Sequence, residues 1–449
     1  MSATLRSEMN TDVTGELPRT VERSLRRNTL FISSTTITNA LFGYGFWVIA
    51  ARSLDGTSLG LATSAAALFT FLAQVLDLGL STTVIQRLPR VGSISERHQL
   101  LVITVACTTI AAMIVAALAL FVAPRAVPLL FSTLGIAGLL SALACAYLVA
   151  CGRLLDAAAS ADRNASKMWM RNVIFAATKL LLLIVLLSMF HGHGPMLVVI
   201  STAIGALIAN LCMFRFLDVC RDESQREMRS LAPADMASLF KDSFAHYVGN
   251  LGGEMPMFLL PLLVLALGGA QAAGTYYVTA MVAMVLYLGS SAISSSMLAE
   301  AIHNPGHLGD ICSRAFRIVL PLTATAVLGC IVLGKTVLGL FGPRIADDGY
   351  VLLVLMAGSA IPDAVTNIWL ARWRAMHHSV RAAVLNATMG LSALLLAALW
   401  YPRLGLAAVG WAWLTVQTLG CVGIWIVETA SHRHRLQQQQ QQGQVCASF

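Results

Sequence analysis

Twelve apolar runs, each long enough to cross a bilayer, alternate with polar segments along the 449-residue chain. An α-helix rises about 1.5 Å per residue, so roughly 20 apolar residues cover a hydrocarbon core about 30 Å thick. The pattern therefore predicts an all-α polytopic membrane protein with about 12 transmembrane helices. The predicted spans lie at 28–51, 60–86, 99–123, 126–151, 171–190, 195–217, 243–267, 274–298, 315–335, 349–371, 380–400 and 404–428.

The longest internal polar segment, residues 218–242, lies between the sixth and seventh spans. It predicts a cytoplasmic linker between two six-helix bundles, at 28–217 and 243–428. An even number of spans per half gives both halves the same orientation, so any internal repeat is expected to be parallel. Residues 1–27 are predicted to form an N-terminal cytoplasmic tail, and the Gln-rich residues 429–449 a disordered C-terminal one.

Composition supports a membrane location and excludes an ordinary soluble domain. The chain is 57% hydrophobic and only 12% charged, whereas soluble proteins contain about 25% charged residues. If the N-terminus is cytoplasmic, all but six of the 30 Lys and Arg residues fall in cytoplasmic segments or nearby helix ends. Since positive residues stay inside, both termini are expected in the cytoplasm of a cell that carries the protein in its inner membrane. The same bias explains the net charge of +8 without nucleic acid.

Motifs for covalent chemistry are missing from the sequence. The nine cysteines are scattered without a Cys-x-x-Cys pair and are interpreted as free thiols. His191 and His193, in the short HGHGP turn, are too few ligands for a metal site. There is no Walker motif and no large loop that could hold catalytic acids. We therefore expect no catalytic residues, no metal and no resident cofactor.

Four ionisable residues lie deep in the predicted spans: Asp77, Lys179, Glu254 and Asp363. A charged side chain at this depth is costly and marks a functional-site hypothesis. The three acids are candidates for coupling transport to H⁺ or Na⁺, with hydrogen bonding to a backbone donor, an Asn or a helix end as the structural alternative. Lys179 is a candidate for contact with an anionic substrate, the alternative being that its amine extends to the inner surface.

Further polar positions suggest substrate contacts. Arg52, at the outer end of the first span, is expected to steady the turn through Asp55 or to meet a pyrophosphate at the exit. Asn39, Asn250 and Asn367 are candidates for lining a sugar-accepting cavity, because their amides supply both donors and acceptors. Hydrogen bonding between helices is the alternative for all three.

The first hairpin carries a recognisable pattern. The first span ends in AARSLDGTSLG, which includes the turn, and the second ends in LDLGLSTTVIQR, with Arg52 before the turn, Gly60 opening the second span and Asp-Leu-Gly-Leu at 77–80. This hairpin resembles the first one of the polysaccharide (O-antigen-type) flippase family, within the multidrug/oligosaccharidyl-lipid/polysaccharide exporter superfamily. GGAQAAGTYYVTA and YPRLGLAAVGWAW resemble the family's openings of helices 8 and 12. One departure is Glu254 followed by Met255, where the family often has an Asp followed by a basic residue.

The resemblance implies a MATE-like fold and a flippase that moves a polyprenyl-pyrophosphate-linked oligosaccharide across the cytoplasmic membrane by alternating access. It also implies a role in lipopolysaccharide, exopolysaccharide or other cell-surface polysaccharide biosynthesis, with membrane lipids and the polymerase or export machinery as partners. A cation-coupled exporter of drugs or metabolites is the first alternative, because the same architecture supports it. A membrane-embedded glycan polymerase or ligase is the second, although the short outer connections disfavour it.

Overall fold

The computed structural model consists of α-helices joined by short turns, and it contains no strand in the part of the chain that it describes. Its backbone is described for residues 19–90, 94–126, 128–162, 164–190, 194–216, 233–303, 305–376 and 378–447. The helices are α1 (Arg19–Ser53), α2 (Gly56–Asp77), α3 (Leu80–Arg87), α4 (Ile94–Ala126), α5 (Pro128–Ala161), α6 (Ala165–Met189), α7 (Gly194–Phe216), α8 (Pro233–His303), α9 (Leu308–Gly339), α10 (Pro343–Ala375), α11 (Ser379–Leu404) and α12 (Ala407–Ala447).

Each predicted apolar run corresponds to one of these helices or to part of one, with differences of a few residues at several ends. The second run is divided between α2 and α3, whereas α8 contains both the seventh and the eighth, which are separated by a break at Gly269 (φ 78°, ψ 178°). Ten of the described helices are long and apolar enough to cross a membrane. α1 is not among them, since the polar stretch SSTTITN (33–39) interrupts its apolar part. The prediction of an all-α polytopic membrane protein is confirmed.

The helices extend further than the apolar runs that predicted them. α5 continues ten residues beyond the predicted end at 151, to Ala161, and α8 begins at Pro233, inside the predicted linker. α12 continues through Ala447, over a tail that was predicted to be disordered. Gln and Arg are good helix formers, so a Gln-rich sequence extends a helix that has already begun. Residues 217–232, which include most of the linker, lie outside the described residues, as do residues 1–18.

The helices form two groups, α1–α7 and α8–α12, which meet where α2 crosses α8. A Cβ atom on Gly60 would lie 1.5 Å from the carbonyl oxygen of Ala270, and one on Gly274 would lie 3.1 Å from the Gly60 Cα. Glycine is therefore required at this crossing, where the two backbones touch. Both glycines belong to sequence motifs that open the second helix of a half.

Further contacts join the halves at the end of the bundle that contains the α1–α2 turn, which we call the Asp55 end. The Arg52 guanidinium of α1 donates to the carbonyls of Leu340 (2.8 Å) and Gly339 (3.1 Å), at the C-terminus of α9. The Leu340 carbonyl lies past the last turn of α9, the Gly339 carbonyl also accepts from the Gly342 amide (3.2 Å), and both carry the negative end of the helix dipole. The rings of Tyr44 and Phe341 pack nearby at 5.8 Å. The two halves are therefore closed together at the Asp55 end.

We expect Gly60→Ala to lower the thermal stability of the purified protein, because the added methyl group overlaps backbone that cannot move aside independently. Overpacking of this kind costs about 1–3 kcal/mol. The matched control is Gly329→Ala in α9, where a Cβ meets nothing within 4 Å and where alanine is expected to be neutral or slightly stabilising. Thermal unfolding in detergent compares the two variants. Equal melting temperatures would show that the α2–α8 crossing is looser than the structure indicates.

Candidate functional site

The Asp-Leu-Gly-Leu motif forms the break between α2 and α3. Leu78 (φ 50°) and Gly79 (φ 74°) both adopt the left-handed conformation, which is strained for leucine and accessible to glycine. The Asp77 carboxylate is buried and accepts a hydrogen bond from the Ser81 hydroxyl, across the break. Asp77 thus lies at a bend of the second span and is not among the described residues that line the cavity discussed next.

A cavity of about 410 Å³ lies in the second half, between the two arms of α8, α10 and α12. Aromatic and methionine side chains form most of its wall, so it is largely apolar with a few polar groups, as small-molecule sites usually are. Its described lining consists of Met257, Leu260, Pro261, Tyr276, Tyr277, Ala280, Met281, Met284, Tyr287, Ser291, Met356, Asp363, Asn367 and Trp413.

Asp363 is the only residue with a formal charge among this described lining. Its Oδ2 accepts hydrogen bonds from Asn367 Nδ2 (2.8 Å) and Ser290 Oγ (3.1 Å), and its Oδ1 accepts one from Gln417 Nε2 (3.1 Å). Three helices, α8, α10 and α12, therefore supply donors to one carboxylate. Asp363 and Asn367, which the sequence offered as separate candidates for coupling and for sugar contact, belong to a single polar cluster on the cavity wall.

Lys179 lies in the first half, on α6. Its Nζ is 4.7 Å from the centre of the Phe46 ring and 5.2 Å from that of Phe175, at distances typical of cation–π contacts. Its backbone and Cβ pack against Gly205 of α7. No carboxylate of the described residues lies within ion-pair distance of the amine. The cation is thus held between two rings, and no acidic side chain of the described residues forms an ion pair with it.

Aromatic contacts connect Lys179 with the cavity in the other half. The Phe46 ring meets Trp47 edge-on at 5.3 Å, and Trp47 meets Tyr277 at 4.8 Å. Tyr277 lines the cavity. The unpaired cation of the first half and the acidic cavity of the second are therefore joined by a short aromatic wall across the interface.

A buried polar network in the first half was missed by the sequence analysis. Arg171, only 7% exposed, donates from Nε to Asp156 Oδ1 (2.7 Å) and from Nη2 to Oδ2 (2.5 Å). Its Nη1 also donates to Asn210 Oδ1 (3.2 Å). Asn172 donates to Asp156 (3.1 Å) and accepts from Asn39 (3.2 Å). Asn39 of α1 thus makes an interhelical hydrogen bond within a network that joins four helices.

Arg171 is one of the basic residues that the charge count places at cytoplasmic helix ends, and Asp156 was not singled out, because the predicted apolar run stops at residue 151. The sequence did contain a signal for a longer α5, namely GRLLDAAASA, whose small apolar residues continue the helix beyond residue 151. Under the positive-inside rule, Arg171 is then interpreted as a charge that flanks a span on the cytoplasmic side. Only the neighbouring helices α1 and α7 show that it is enclosed.

The remaining candidates are explained by local contacts or lie outside the described side chains. Asp55 caps α2, where its Oδ2 accepts from the backbone amides of Thr57 (3.0 Å) and Ser58 (3.1 Å). Hydrogen bonds from Ser58 lower the pKa of the Asp55 carboxyl. Arg52 contacts α9 as described above, and so the turn and its arginine are stabilised separately. The side chains of Asn250 and Glu254 lie outside the described set, as do His191 and His193.

Comparison with known proteins gives one family and several similar folds. The family profile described as "Polysaccharide biosynthesis protein" matches residues 25–298. No curated protein is significantly similar in sequence. Similar solved structures include the lipid II flippase MurJ in an inward closed conformation, with a TM-score of 0.73 and 12% identity over 89% of this chain and 87% of that one.

Two transporter structures extend the comparison. An inward-facing multidrug resistance MATE family transporter of the MOP superfamily has a TM-score of 0.69 and 15% identity over 90% of this chain and 99% of that one. A MOP superfamily transporter from Pyrococcus furiosus, described by the reverse polarity of its binding pocket, has a TM-score of 0.62 and 16% identity over 91% and 95%. At such identities, these structures show that the fold is shared.

Proposed function

Because the chain belongs to the polysaccharide biosynthesis protein family, we propose that it is a flippase for a polyprenyl-pyrophosphate-linked oligosaccharide in the cytoplasmic membrane. The fold, which is that of MOP superfamily transporters, supports this proposal. The single observation that carries it is that Lys179, a cation without an ion pair among the described residues, lies across the interface from an amphipathic cavity. The flippase would serve the biosynthesis of surface or exported polysaccharide without itself making or breaking covalent bonds.

In this proposal the two halves alternate around the interface. The Lys179 amine attracts the pyrophosphate, while the glycan enters the cavity of the second half and the lipid tail stays in the bilayer. Both termini are cytoplasmic, so the closed Asp55 end faces outwards and the opposite end receives the substrate. Export then requires the contacts of Arg52 and the Gly60–Gly274 crossing to open, as alternating access between two bundles demands.

Coupling to an ion gradient is part of the proposal, with Asp363 as the favoured site because it lies on the cavity wall. We expect Asp363→Asn to abolish stimulation of transport by an imposed H⁺ or Na⁺ gradient, since the amide keeps the shape but cannot take up a proton or balance a cation. Downhill exchange should continue. Proteoliposomes with and without each gradient provide the measurement. Coupling through Asp77 or Glu254 stays a prediction.

The control for this experiment is Asp348→Asn, which removes an exposed acid from the same helix. It should respond to the gradients as the wild type does. Asp363→Asn protein that is still accelerated by the same gradient would contradict the assignment and direct attention to the other two acids.

The flippase itself is tested by reconstitution and by gene deletion. Proteoliposomes should move a fluorescent polyprenyl-pyrophosphate glycan between leaflets, and liposomes without protein should not. Deletion of the gene should cause lipid-linked glycan to accumulate on the cytoplasmic face. Normal surface glycan in a deletion strain that has no second flippase, together with inactive proteoliposomes, would overturn the proposal.

One observation favours a second candidate function, the export of organic cations. An acidic cavity lined by Tyr276, Tyr287, Trp413 and several methionines also suits a lipophilic cation, which is attracted both to the carboxylate and to aromatic faces. Increased resistance to such compounds on overexpression, with unchanged glycan, would support this function over the flippase.

A further inference from the structure

The two halves of the interface differ in charge. The first half presents Lys179 without an anionic partner among the described residues, and the described wall of the opposite cavity has a single formal charge, the negative one of Asp363. No cation is among the hydrogen-bond donors to Asp363, which are the hydroxyl and amide groups of Ser290, Asn367 and Gln417. The interface therefore has one place for an anionic group, at Lys179, and a separate place for a group without negative charge, in the cavity.

The cavity wall offers the contacts that a sugar ring uses. The rings of Tyr276, Tyr277 and Trp413 line the cavity, and aromatic rings provide apolar surface for the C–H groups of a pyranose. Asp363 and Asn367 provide acceptors and donors for hydroxyl groups. The indole N–H of Trp413 is buried and makes no geometrically complete hydrogen bond with the described residues. The Tyr287 hydroxyl lies near this N–H, and a ligand oxygen in the cavity would offer it a second acceptor.

The position of the cavity indicates which sugar would occupy it. The Lys179 amine reaches the cavity wall through Phe46, Trp47 and Tyr277, in three contacts none of which exceeds 5.3 Å. Three ring contacts thus separate the amine from the cavity, so a pyrophosphate at Lys179 would place the lipid-proximal end of the glycan, and not its distal end, on the side of the cavity. The volume of about 410 Å³ suits a group of that size, and an extended polysaccharide would not fit.

Charge then restricts the identity of this sugar. A uronic acid in the cavity would place a second carboxylate near Asp363, and like charges in a site with an effective dielectric constant of about 20 repel strongly. A neutral sugar avoids this repulsion, and a protonated amino sugar gains attraction. We propose, as an extension of the proposed flippase function, that the cavity selects lipid-linked glycans whose lipid-proximal sugar is neutral or amino-bearing and rejects those in which it is a uronic acid.

The experiment uses three probes with the same polyprenyl pyrophosphate and a single sugar, either N-acetylglucosamine, glucosamine or glucuronic acid. Their affinities for the full-length protein are measured in detergent, and their initial flipping rates in proteoliposomes without an ion gradient. We expect the first two to bind and flip at least tenfold better than the glucuronic acid probe. Asp363→Asn should reduce this preference to less than threefold, and Asp348→Asn should leave it unchanged.

Each outcome decides one question. Flipping of all three probes at equal rates would uphold the flippase and overturn the selectivity. A preference that survives Asp363→Asn would also overturn it, because the carboxylate would not be the cause. If that variant does not fold, the preference of the wild-type protein among the three probes still tests the proposed selectivity. No flipping of any probe, or binding of a quaternary ammonium compound in place of all three, would overturn the flippase and this inference with it.

Discussion

Replacement of Lys179 by methionine is expected to reduce the initial rate of flipping at least tenfold while leaving the thermal stability nearly unchanged. The loss of transport follows from the loss of a charged donor to the pyrophosphate, since one such hydrogen bond contributes about 1.5–3 kcal/mol and 1.4 kcal/mol is tenfold. Stability is preserved because the amine makes no ion pair with a carboxylate of the described residues, so its removal leaves none of them unpaired. Methionine also fills a similar volume, and its sulfur replaces the cation–π contacts of the amine with sulfur–aromatic contacts to Phe46 and Phe175.

The measurement combines flipping in proteoliposomes with thermal unfolding of the same preparations. Lys335→Met is the matched control, since Lys335 is exposed and paired with Asp347 at 2.9 Å, and its replacement should alter the rate less than twofold. Lys179→Arg should retain part of the activity because it keeps the charge. Wild-type flipping by Lys179→Met would exclude the amine as the pyrophosphate contact, and a large fall in its melting temperature would indicate a structural role.

Replacement of Arg171 by methionine is expected to lower the free energy of unfolding by about 3–5 kcal/mol, towards the smaller value. The change leaves Asp156 without its cation in a network that is largely enclosed, and breaking a buried pair from one side has a cost of this size. The side chain of Asp156 is 21% exposed, so water relieves part of its charge. Asn210 and Asn172 lose partners as well. Unfolding in detergent, followed by thermal or denaturant titration, gives the difference.

A second variant separates the pair from its surroundings. Arg171→Met combined with Asp156→Leu should recover much of the lost stability, because no uncompensated charge then stays in the bundle. The matched control is Arg97→Met, which breaks the half-exposed pair of Arg97 with Asp162 and should cost about 0–1 kcal/mol. If Arg171→Met is no more destabilising than Arg97→Met, the network does not hold the first half together.

Part of the candidate site was predictable from the sequence. Lys179 and Asp363 stand out because a charge within an apolar run has few harmless explanations. Asp363 and Asn367 are four residues apart, so any helix places them on one face. Their partners Ser290 and Gln417, however, come from other helices, and no local pattern connects residues that are 54 or more positions away.

Asp77 shows how a motif identifies a family better than it explains a mechanism. The Asp-Leu-Gly-Leu sequence supported the resemblance, and the match to the polysaccharide biosynthesis family confirms that relationship. In the structure the motif forms the break between α2 and α3, through the left-handed residues Leu78 and Gly79. A preference of glycine for that conformation is visible in sequence, but a leucine held there is a result of packing around it.

The amino-acid sequence is sufficient to identify a multi-pass helical membrane protein and to place each helix approximately. These properties depend on the length of apolar runs and on the need to satisfy every backbone hydrogen bond within a span, both of which are local. Only the packed helices show which residues meet: Gly60 with Gly274 and Arg52 with the end of α9 across the interface, and Arg171 with Asp156 within the first half. Such contacts depend on the shapes of whole helices packed together, because a partner is selected by space and burial that neighbouring residues in the chain do not encode.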